Sequence, residues 1–389
     1  MTDCHAVKIR WKGRFYNEKL GFGLMRLPTL NSLNAADVDI EYVNKMVDLF
    51  IKRGFTYFDT ALMYCGGASE RVAKTVLVER HPRESFTLAD KLHAGFFNSH
   101  EGRDKVFHGQ LEKTGAGYFD YYLLHGIDSS MLAKYEQFDC FNWLLKKKSQ
   151  GLMKHVGFSY HDSAKLLDDI LTRHPEMEFV QLQINYLDWE SEWIQARACY
   201  EVATRHGKPI IVMEPVKGGT LAKVPEEAEK LLKEREPKMS IPSWAIRFAA
   251  SLPNVMVVLS GMSSLEQMED NLSYMEDFKP LTEDEKTLCH KVADLINSQI
   301  TIPCTGCSYC TEGCPMKIAI PQYFSLYNEN MRERLEEKGF TVNFSTYNNL
   351  AGKFGRAKDC TQCGHCESMC PQHLSIMENL KAVSEHFDR

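Results

Sequence analysis

Cysteines in the last quarter of the chain have the spacing of iron–sulfur ligands. Eight of the 13 cysteines lie in two copies of one pattern, Cys-x-x-Cys-x-x-Cys-x-x-x-Cys-Pro. The first copy comprises Cys304, Cys307, Cys310 and Cys314, and the second comprises Cys360, Cys363, Cys366 and Cys370. Three thiolates at two-residue gaps can ligate three corners of a cubane. The pattern therefore predicts two [4Fe–4S] clusters.

The fourth cysteine of each copy is expected to serve the cluster of the other copy, as in the bacterial ferredoxin spacing. One cluster then takes Cys304, Cys307, Cys310 and Cys370, and the other takes Cys360, Cys363, Cys366 and Cys314. Structural zinc is the alternative, because it also binds Cys-x-x-Cys pairs. Zinc needs only four ligands in a tetrahedron, however, so it would leave surplus thiols in this pattern.

A second group of reactive side chains lies in the first third of the chain. Asp59, Lys91 and His125 each stand at or near the end of an apolar run, and Tyr64 follows Asp59 after a few residues. A charged residue in a buried strand is costly unless it is paired or functional. If these runs are neighbouring parallel strands, their carboxyl ends meet at one site, and an acid, a base and a cation would converge there.

The elements needed to position these residues can be identified from hydrophobic periodicity. Near-continuous apolar runs, typical of strands buried on both faces, begin at Lys19, Thr56, Phe86, Tyr118, Lys154, Phe179, Pro209 and Val255. Helical patterns lie between them, including residues 131–151 and 162–173. Eight strand–helix units predict an α/β fold, a (β/α)8 TIM barrel. An open doubly wound sheet is the rival, but no G-x-G-x-x-G follows the first strand.

The chain is predicted to divide into a barrel over residues 1–280, a linker helix over 281–299 and a two-cluster domain over 300–389. The segment from 315 to 359 has a helical pattern. It is similar to the helical ferredoxin domains of multi-centre oxidoreductases, so the smaller domain is expected to be mainly α-helical and ferredoxin-like.

Composition excludes several classes of protein. Hydrophobic residues make up 44% and charged residues 25% of the chain, which argues against general disorder. The net charge of −6 gives no reason to expect a nucleic-acid partner. No apolar run reaches the roughly 20 residues of a membrane span, and no secretory h-region is visible at the N-terminus. An odd number of cysteines then indicates thiolate ligands in a reducing, cytoplasmic compartment.

Residues 58–64 (Phe-Asp-Thr-Ala-x-x-Tyr) and 66–70 (Gly-Gly-Ala-Ser-Glu) resemble the signature of the aldo-keto reductase family. Lys91 and His125 match the family's remaining catalytic positions, and the resemblance extends over residues 17 to 275. It implies the barrel fold and the reduction of a carbonyl, or the oxidation of an alcohol, by hydride transfer.

The resemblance also implies a role for each catalytic residue. Tyr64 would protonate the alkoxide, although an unperturbed phenol with a pKa near 10 is a weak acid. Lys91 beside it would favour the phenolate and lower that pKa. Asp59 would hold Lys91 charged, and His125 would hydrogen-bond the carbonyl oxygen.

The cofactor positions implied by the family are matched only in part. Ser159 fits the serine that binds the nicotinamide amide, but Tyr160 replaces the asparagine beside it. Gln183 fits the family's glutamine on the sixth strand, and Met213 replaces the aromatic residue that stacks on the nicotinamide ring. After the eighth strand the candidate contacts are Gly261, Ser263, Gln267 and Asn271. The N–H groups near Ser263 could bind one phosphate.

No Lys or Arg appears after the eighth strand until Lys279, whereas Glu266, Glu269 and Asp270 are acidic. A 2′-phosphate gains little from this composition, so NAD(H) or flavin mononucleotide (FMN) is expected rather than NADPH. A flavin would also couple a two-electron donor to one-electron clusters.

Three functions remain open at this stage. The first is an aldo-keto-reductase-like oxidoreductase with two clusters. The second is a flavin-dependent electron-transfer oxidoreductase on the same barrel. The third is a non-enzymatic redox sensor or scaffold. Expected partners are a small carbonyl or alcohol substrate and, as a candidate, an electron-transfer protein.

Overall fold

A computed structural model of the chain describes residues 10–11, 14–15, 19–31, 34–192, 194–298, 300–332 and 342–388. These residues form two compact units. The first comprises the described residues up to Val216 together with Lys238–Cys289, and the second comprises Lys217–Pro237 together with the described residues from His290 onward. The sequence-based boundaries assign residues 217–237 to the barrel domain instead, so the two divisions differ there.

The first unit is built on a closed barrel of eight parallel strands, which confirms the predicted (β/α)8 fold. The strands are β1 (Leu20–Gly23), β2 (Tyr57–Asp59), β3 (Thr87–His93), β4 (Phe119–Ile127), β5 (Met153–Tyr160), β6 (Phe179–Gln183), β7 (Ile210–Met213) and β8 (Val255–Ser260). Each strand pairs with the next, and β8 pairs with β1. Every residue of β2, β6 and β8 is buried, as expected of strands that are covered on both faces.

Aromatic and branched side chains fill the barrel interior. Tyr57 and Tyr121 lie with ring centroids 5.3 Å apart, and Tyr121 packs edge-on against Phe179 at 5.2 Å. Gly157 on β5 leaves room for this packing, because a Cβ atom there would lie 2.3 Å from the carbonyl oxygen of Phe179. The interior is thus a packed core rather than a channel.

The helices as far as the end of the barrel sequence are α1 (Ile40–Lys52), α2 (Ser69–Ala73), α3 (His100–Thr114), α4 (Ser129–Gln137), α5 (Cys140–Ser149), α6 (Ala164–Arg173), α7 (Ala196–Arg205), α8 (Glu226–Arg235), α9 (Ile241–Ala250), α10 (Leu265–Met275) and α11 (Glu283–Asn297). The stretch predicted to be helical over 131–151 is helical over most of its length, but it forms two helices rather than one. Asp139 has a left-handed φ of 49°, which separates α4 from α5.

The second unit contains α8 and five helices from the cysteine-rich region. These are α12 (Tyr309–Glu312), α13 (Ile320–Arg332), α14 (Val342–Ala351), α15 (His365–Ser368) and α16 (Ile376–Phe387). Tyr347 and Phe387 stack in its core with ring centroids 4.8 Å apart. The segment between the two motifs is helical where it is described, and residues 333–341 of that prediction lie outside the described residues. None of the described helices has both the length and the apolar character needed to span a membrane.

Candidate active site and cluster region

Strands β2, β3 and β4 bring three of the predicted catalytic residues to the carboxyl end of the barrel. Asp59 is the last residue of β2, while Lys91 and His125 lie near the ends of β3 and β4. All three are buried, with exposures of 2%, 1% and 6% respectively. These charged and titratable groups therefore lie where solvent cannot screen them, and each needs a partner.

Tyr64 is held at the same end by the loop that follows β2. It begins a short 3-10 turn, Tyr64–Gly67, in which Cys65 adopts a left-handed φ of 51°. The Cys65 thiol donates to the carbonyl oxygen of Leu24 at 3.3 Å, and the Ser69 hydroxyl donates to the same oxygen at 3.0 Å. Two side chains thus anchor the Tyr64 loop to the end of β1.

Lys91 is the centre of the site. Its ammonium donates to Asp59 Oδ1 at 2.5 Å and to the carbonyl oxygen of Thr60 at 2.8 Å. It also lies 4.7 Å from the centroid of the Tyr64 ring. Burial raises the pKa of Asp59, and the charge of Lys91 opposes that rise. The geometry brings the predicted acid, cation and carboxylate into one contact group.

His125 also contacts Tyr64. The two rings are edge-to-face with centroids 5.9 Å apart. Burial, followed by the nearby charge of Lys91, holds the pKa of His125 well below its usual range, so the imidazole is neutral and can donate only one N–H. Sequence reasoning missed His93, whose ring lies 5.5 Å from that of His125. His93 lies two residues after Lys91 on β3, and this spacing could have indicated that both side chains are on the same face of the strand.

Two buried carboxyl groups, those of Glu70 and Asp90, share the amide of Gln110 with the backbone of Lys91. Gln110 Nε2 donates to Glu70 Oε1 at 2.9 Å, to Asp90 Oδ1 at 3.1 Å and to the carbonyl oxygen of Lys91 at 2.9 Å. Lys113 Nζ is 3.0 Å from Glu70 Oε2, so Glu70 has a cationic partner. Burial and the proximity of Glu70 raise the pKa of Asp90 well above its usual range. Asp90 is therefore the carboxyl that stays protonated.

We expect Asp90→Asn to make the protein more stable than the wild type at high pH. The folded protein holds a proton on Asp90 that the unfolded chain releases near pH 4, so wild-type stability falls as the pH rises from there toward the folded pKa. The asparagine side chain binds no such proton, so the variant lacks this pH dependence of the free energy of unfolding. Its slope is at most about 1.4 kcal/mol per pH unit. Urea unfolding between pH 4 and 9 measures the difference. The control is Asp277→Asn at an exposed position, and equal slopes for Asp90→Asn and wild type would contradict the assignment.

The residues predicted to hold a nicotinamide amide lie at the ends of β5, β6 and β7. Ser159 is fully buried, and its hydroxyl accepts the N–H of Gly126 at 2.7 Å. Gln183 Nε2 donates to Asp188 Oδ2 at 2.7 Å, which fixes the orientation of the amide. Met213 ends β7 and is half-buried. The polar groups are therefore held in fixed orientations.

The residues predicted after β8 are likewise held by internal hydrogen bonds. The Ser263 N–H donates to Gln267 Oε1 at 2.8 Å, and Asn271 Nδ2 donates to the Ser260 hydroxyl at 2.9 Å. Gly261 lies against the Arg26 side chain, with the Arg26 Cβ and Cδ atoms 3.9 Å from its ideal Cβ position. Asn271 is thus a buried structural contact of β8 as well as a candidate cofactor contact.

Arg26 supplies a positive charge that the sequence around β8 lacks. It follows β1, and its carbonyl oxygen accepts the Ser263 hydroxyl at 2.6 Å. Its guanidinium lies 3.4 Å from Glu214 Oε1. More than 230 residues separate Arg26 from Ser263 in the sequence, so only the closure of β8 onto β1 brings the Arg26 backbone to Ser263, while the guanidinium pairs with Glu214.

In the second unit, four of the eight motif cysteines line one cavity. The walls of this small cavity include Cys304, Cys307, Cys310 and Cys370. Burial and the neighbouring thiols of Cys307, Cys304 and Cys370 raise the pKa of Cys310. Burial also raises the pKa of Cys370, against the effect of backbone N–H donors from Leu374, Gln372 and His373. A cationic group in the cavity would stabilise the thiolate forms.

Three of the other four motif cysteines lie near one another. Burial, and then the proximity of Cys360, raises the pKa of Cys366 to about 11, with a smaller contribution from Cys363. Cys363 is exposed and Cys314 is partly exposed. Four cysteines outside the motifs lie in the first unit instead, and all of them are buried: Cys65, Cys140, Cys199 and Cys289. Cys4 lies outside the described residues.

Two family models match the chain. The model of the aldo/keto reductase family matches residues 19–294, and that of the 4Fe-4S dicluster domain matches residues 303–375. A curated relative is an uncharacterized oxidoreductase, YqkF, of Bacillus subtilis (strain 168). It is 22% identical over 273 residues, which are 62% of this chain and 84% of the relative.

Two solved structures share the barrel fold. The aldo-keto reductase AKR11C1 of Bacillus halodurans in its holo form is 23% identical, with a TM-score of 0.56 over 70% of this chain and 91% of its own. An aldo-keto reductase of Klebsiella pneumoniae, solved in complex with NADPH, is 16% identical. Its TM-score is 0.55, over 71% of this chain and 90% of its own.

Proposed function

The chain belongs to the aldo/keto reductase family and carries a 4Fe-4S dicluster domain at its C-terminal end, so it is an iron–sulfur oxidoreductase. From this premise we propose that it reduces a small carbonyl compound, or oxidises the corresponding alcohol, at the carboxyl end of the barrel. We further propose that its cysteines hold two [4Fe–4S] clusters that exchange electrons one at a time.

The contact group around Lys91 carries the proposal. The Lys91 ammonium donates to Asp59 and lies 4.7 Å from the Tyr64 ring. Burying this charge costs desolvation free energy, and a catalytic role for the charge explains why it is there. As a substrate alkoxide takes the phenolic proton, Lys91 stabilises the phenolate that Tyr64 becomes. Asp59 keeps Lys91 charged and in place. The neutral imidazole of His125 can donate one hydrogen bond to the substrate oxygen and so orient it.

A reduced nicotinamide, when bound, would supply the hydride that reaches the carbonyl carbon. The residues present fit such a group, because Ser159 and Gln183 are polar and oriented, and Arg26 lies beside the start of α10. Ser159 and Gln183 would hold the amide, Met213 would contact the ring, and Arg26 with the backbone near Ser263 would hold a phosphate. Gly261, Gln267 and Asn271 would shape that end of the site. The acidic residues of α10, together with the pairing of the Arg26 guanidinium with Glu214, favour NAD(H) over NADPH.

The second unit fits a cluster at the cavity of Cys304, Cys307, Cys310 and Cys370, since the other three thiols disfavour ionisation of Cys310 and a cationic iron core would offset that effect. The second proposed cluster takes Cys360, Cys363, Cys366 and Cys314. A cluster, when loaded, supplies one-electron transfer. The surrounding protein sets its solvent access and the hydrogen bonds to sulfur, such as that from the Gly306 N–H to Cys304 at 3.4 Å.

FMN in the barrel is the second candidate cofactor. The acidic sequence after β8 favours FMN over NADPH. The predicted clusters also favour FMN, because a flavin can transfer electrons singly or in pairs. In that case the physiological partner would be an electron-transfer protein. A purely non-enzymatic sensor is less favoured, because the four-residue contact group is intact.

An anaerobic cofactor inventory with a turnover assay tests the proposal. Purified, reconstituted protein is expected to contain about eight irons per chain, as two four-iron clusters require. It should oxidise NADH in the presence of an aromatic aldehyde, with a lower KM for NADH than for NADPH. Flavin released by acid precipitation would shift the assignment to the flavin reading. Absence of both turnover and flavin would contradict both enzymatic readings, and low iron after reconstitution would contradict the clusters.

A further inference from the structure

Lys217 is a buried lysine of the second unit that the proposed mechanism does not use. Only 3% of the residue is exposed, and its φ is 47°, a conformation in which a non-glycine residue is strained. Its ammonium donates to Gln372 Oε1 at 3.4 Å. Burying a lysine head costs several kcal/mol unless a negative charge or hydrogen-bond acceptors compensate it. Gln372 is therefore one acceptor that compensates this buried charge.

Gln372 connects Lys217 to the cavity of the motif cysteines. It lies two residues after Cys370 and lines the same cavity as Cys304, Cys307, Cys310 and Cys370. The Gln372 backbone N–H is also one of the donors to the Cys370 sulfur. The ammonium of Lys217 is thus one hydrogen bond away from the wall of the cavity.

The residue after Lys217 holds this arrangement in place. Gly218 has a φ of 62°, and a Cβ atom there would lie 1.9 Å from the carbonyl oxygen of Thr305. Only glycine fits such a contact, so residues 217–219 pack directly against the Cys304–Gly306 segment. Thr305 is itself a wall residue of the cavity. Lys217 is therefore fixed by backbone packing as well as by its hydrogen bond.

A fixed positive charge acts differently on the two oxidation states of a cluster. Four thiolates give a [4Fe–4S] cluster a net negative charge, and reduction adds one more. A nearby ammonium stabilises the reduced form more, which raises the reduction potential. Exposed lysines have a smaller effect because water and salt screen them.

We propose that Lys217 is the electrostatic tuning residue of the cluster bound by Cys304, Cys307, Cys310 and Cys370. It raises the reduction potential of that cluster and leaves the potential of the second cluster unchanged. The inference rests on the proposed clusters and is independent of the substrate and of the cofactor in the barrel. The function of Lys217 would be to make this cluster, rather than the second one, the preferred site of the added electron.

The test is an EPR-monitored redox titration of the full-length, cluster-loaded protein. We expect Lys217→Met to make reduction of one cluster about tenfold less favourable, which is about 59 mV for one electron. The other cluster serves as an internal reference and should keep its potential. Lys217→Arg, which retains the charge, should match the wild type. Lys381→Met on α16 is the matched control, since that lysine is exposed and pairs with Glu385.

Two results of the redox titration would contradict a tuning role for Lys217. Unchanged potentials of both clusters in Lys217→Met, at wild-type iron content, would overturn the proposal, and so would equal shifts of both clusters. If Lys217→Met retains too little iron to titrate, Lys217→Gln, which keeps a polar head without charge, replaces it under the same criteria. Wild-type protein without clusters would instead refute the cluster assignment itself, and the iron count of the wild type detects that failure separately.

Discussion

Replacement of Tyr64 by phenylalanine should reduce kcat for carbonyl reduction by roughly 10²- to 10⁴-fold. The substitution removes only the hydroxyl, so the ring should keep its edge-to-face contact with His125 and its position beside Lys91. Without the phenolic proton, the alkoxide formed on the substrate must take a proton from water. Steady-state kinetics with NADH and an aromatic aldehyde measures the loss.

Binding should be almost unaffected by the same substitution. The dissociation constant for NADH is expected to stay near the wild-type value, because no residue proposed to hold the cofactor has changed. Tyr200→Phe on α7 is the matched control, since it also removes a phenolic hydroxyl, from a partly buried ring packed on Trp189. Full turnover in Tyr64→Phe would show that Tyr64 is not the proton donor, and a loss confined to KM would assign it to substrate binding.

Replacement of Cys370 by alanine should remove the cluster of the first motif, although Cys370 belongs to the second. Iron content is expected to fall from about eight to about four atoms per chain. The residual EPR spectrum should match that of Cys304→Ala. The physical reason is the cavity that Cys370 shares with Cys304, Cys307 and Cys310.

A reciprocal pair of variants makes this experiment decisive. Cys314→Ala should leave the same residual cluster as Cys360→Ala, because both are proposed to serve the other site. If each motif instead bound its own cluster, Cys370→Ala would match Cys360→Ala, and the crossed pairing would be wrong. Cys199→Ala is the control, since this buried cysteine lies in the barrel unit and should keep all the iron.

The two kinds of variant also separate the two halves of the proposed function. Tyr64→Phe should keep its iron and its EPR spectrum, while the cysteine variants should keep NADH binding. If the clusters only stabilise the second unit, the cysteine variants would keep aldehyde turnover as well. Loss of turnover with intact NADH binding would instead place the clusters in the electron path.

The amino-acid sequence is sufficient to predict the class of fold and to identify the residues most able to do chemistry. Near-continuous apolar runs at eight places sufficed for the parallel barrel, because strands covered on both faces need no polar alternation. Asp59, Lys91 and His125 could be selected because charged or titratable residues at the ends of buried runs need an explanation. The cysteine spacing depends only on local chain geometry, so two cluster motifs could be recognised without a structure.

Hydrophobic periodicity did not reveal the break between α4 and α5, because that break depends on a single backbone angle. The apolar periodicity over 131–151 continues through Asp139, so it predicts one helix. The left-handed backbone at that residue divides the stretch into α4 and α5. Periodicity reports which face of a segment is apolar and carries little information about a single φ angle.

Contacts between residues far apart in the sequence become visible only in the folded chain. The Arg26 backbone meets Ser263 only because the barrel closes β8 onto β1, so the residues after β8 gave no sign in the sequence that Arg26 lies there. The neighbours of Asp90 come from α2 and α3, and their charges decide which carboxyl holds the proton. Lys217 reaches Gln372 from 155 positions away in the sequence. Electrostatic effects depend on distance and burial in space, and neither follows from sequence spacing.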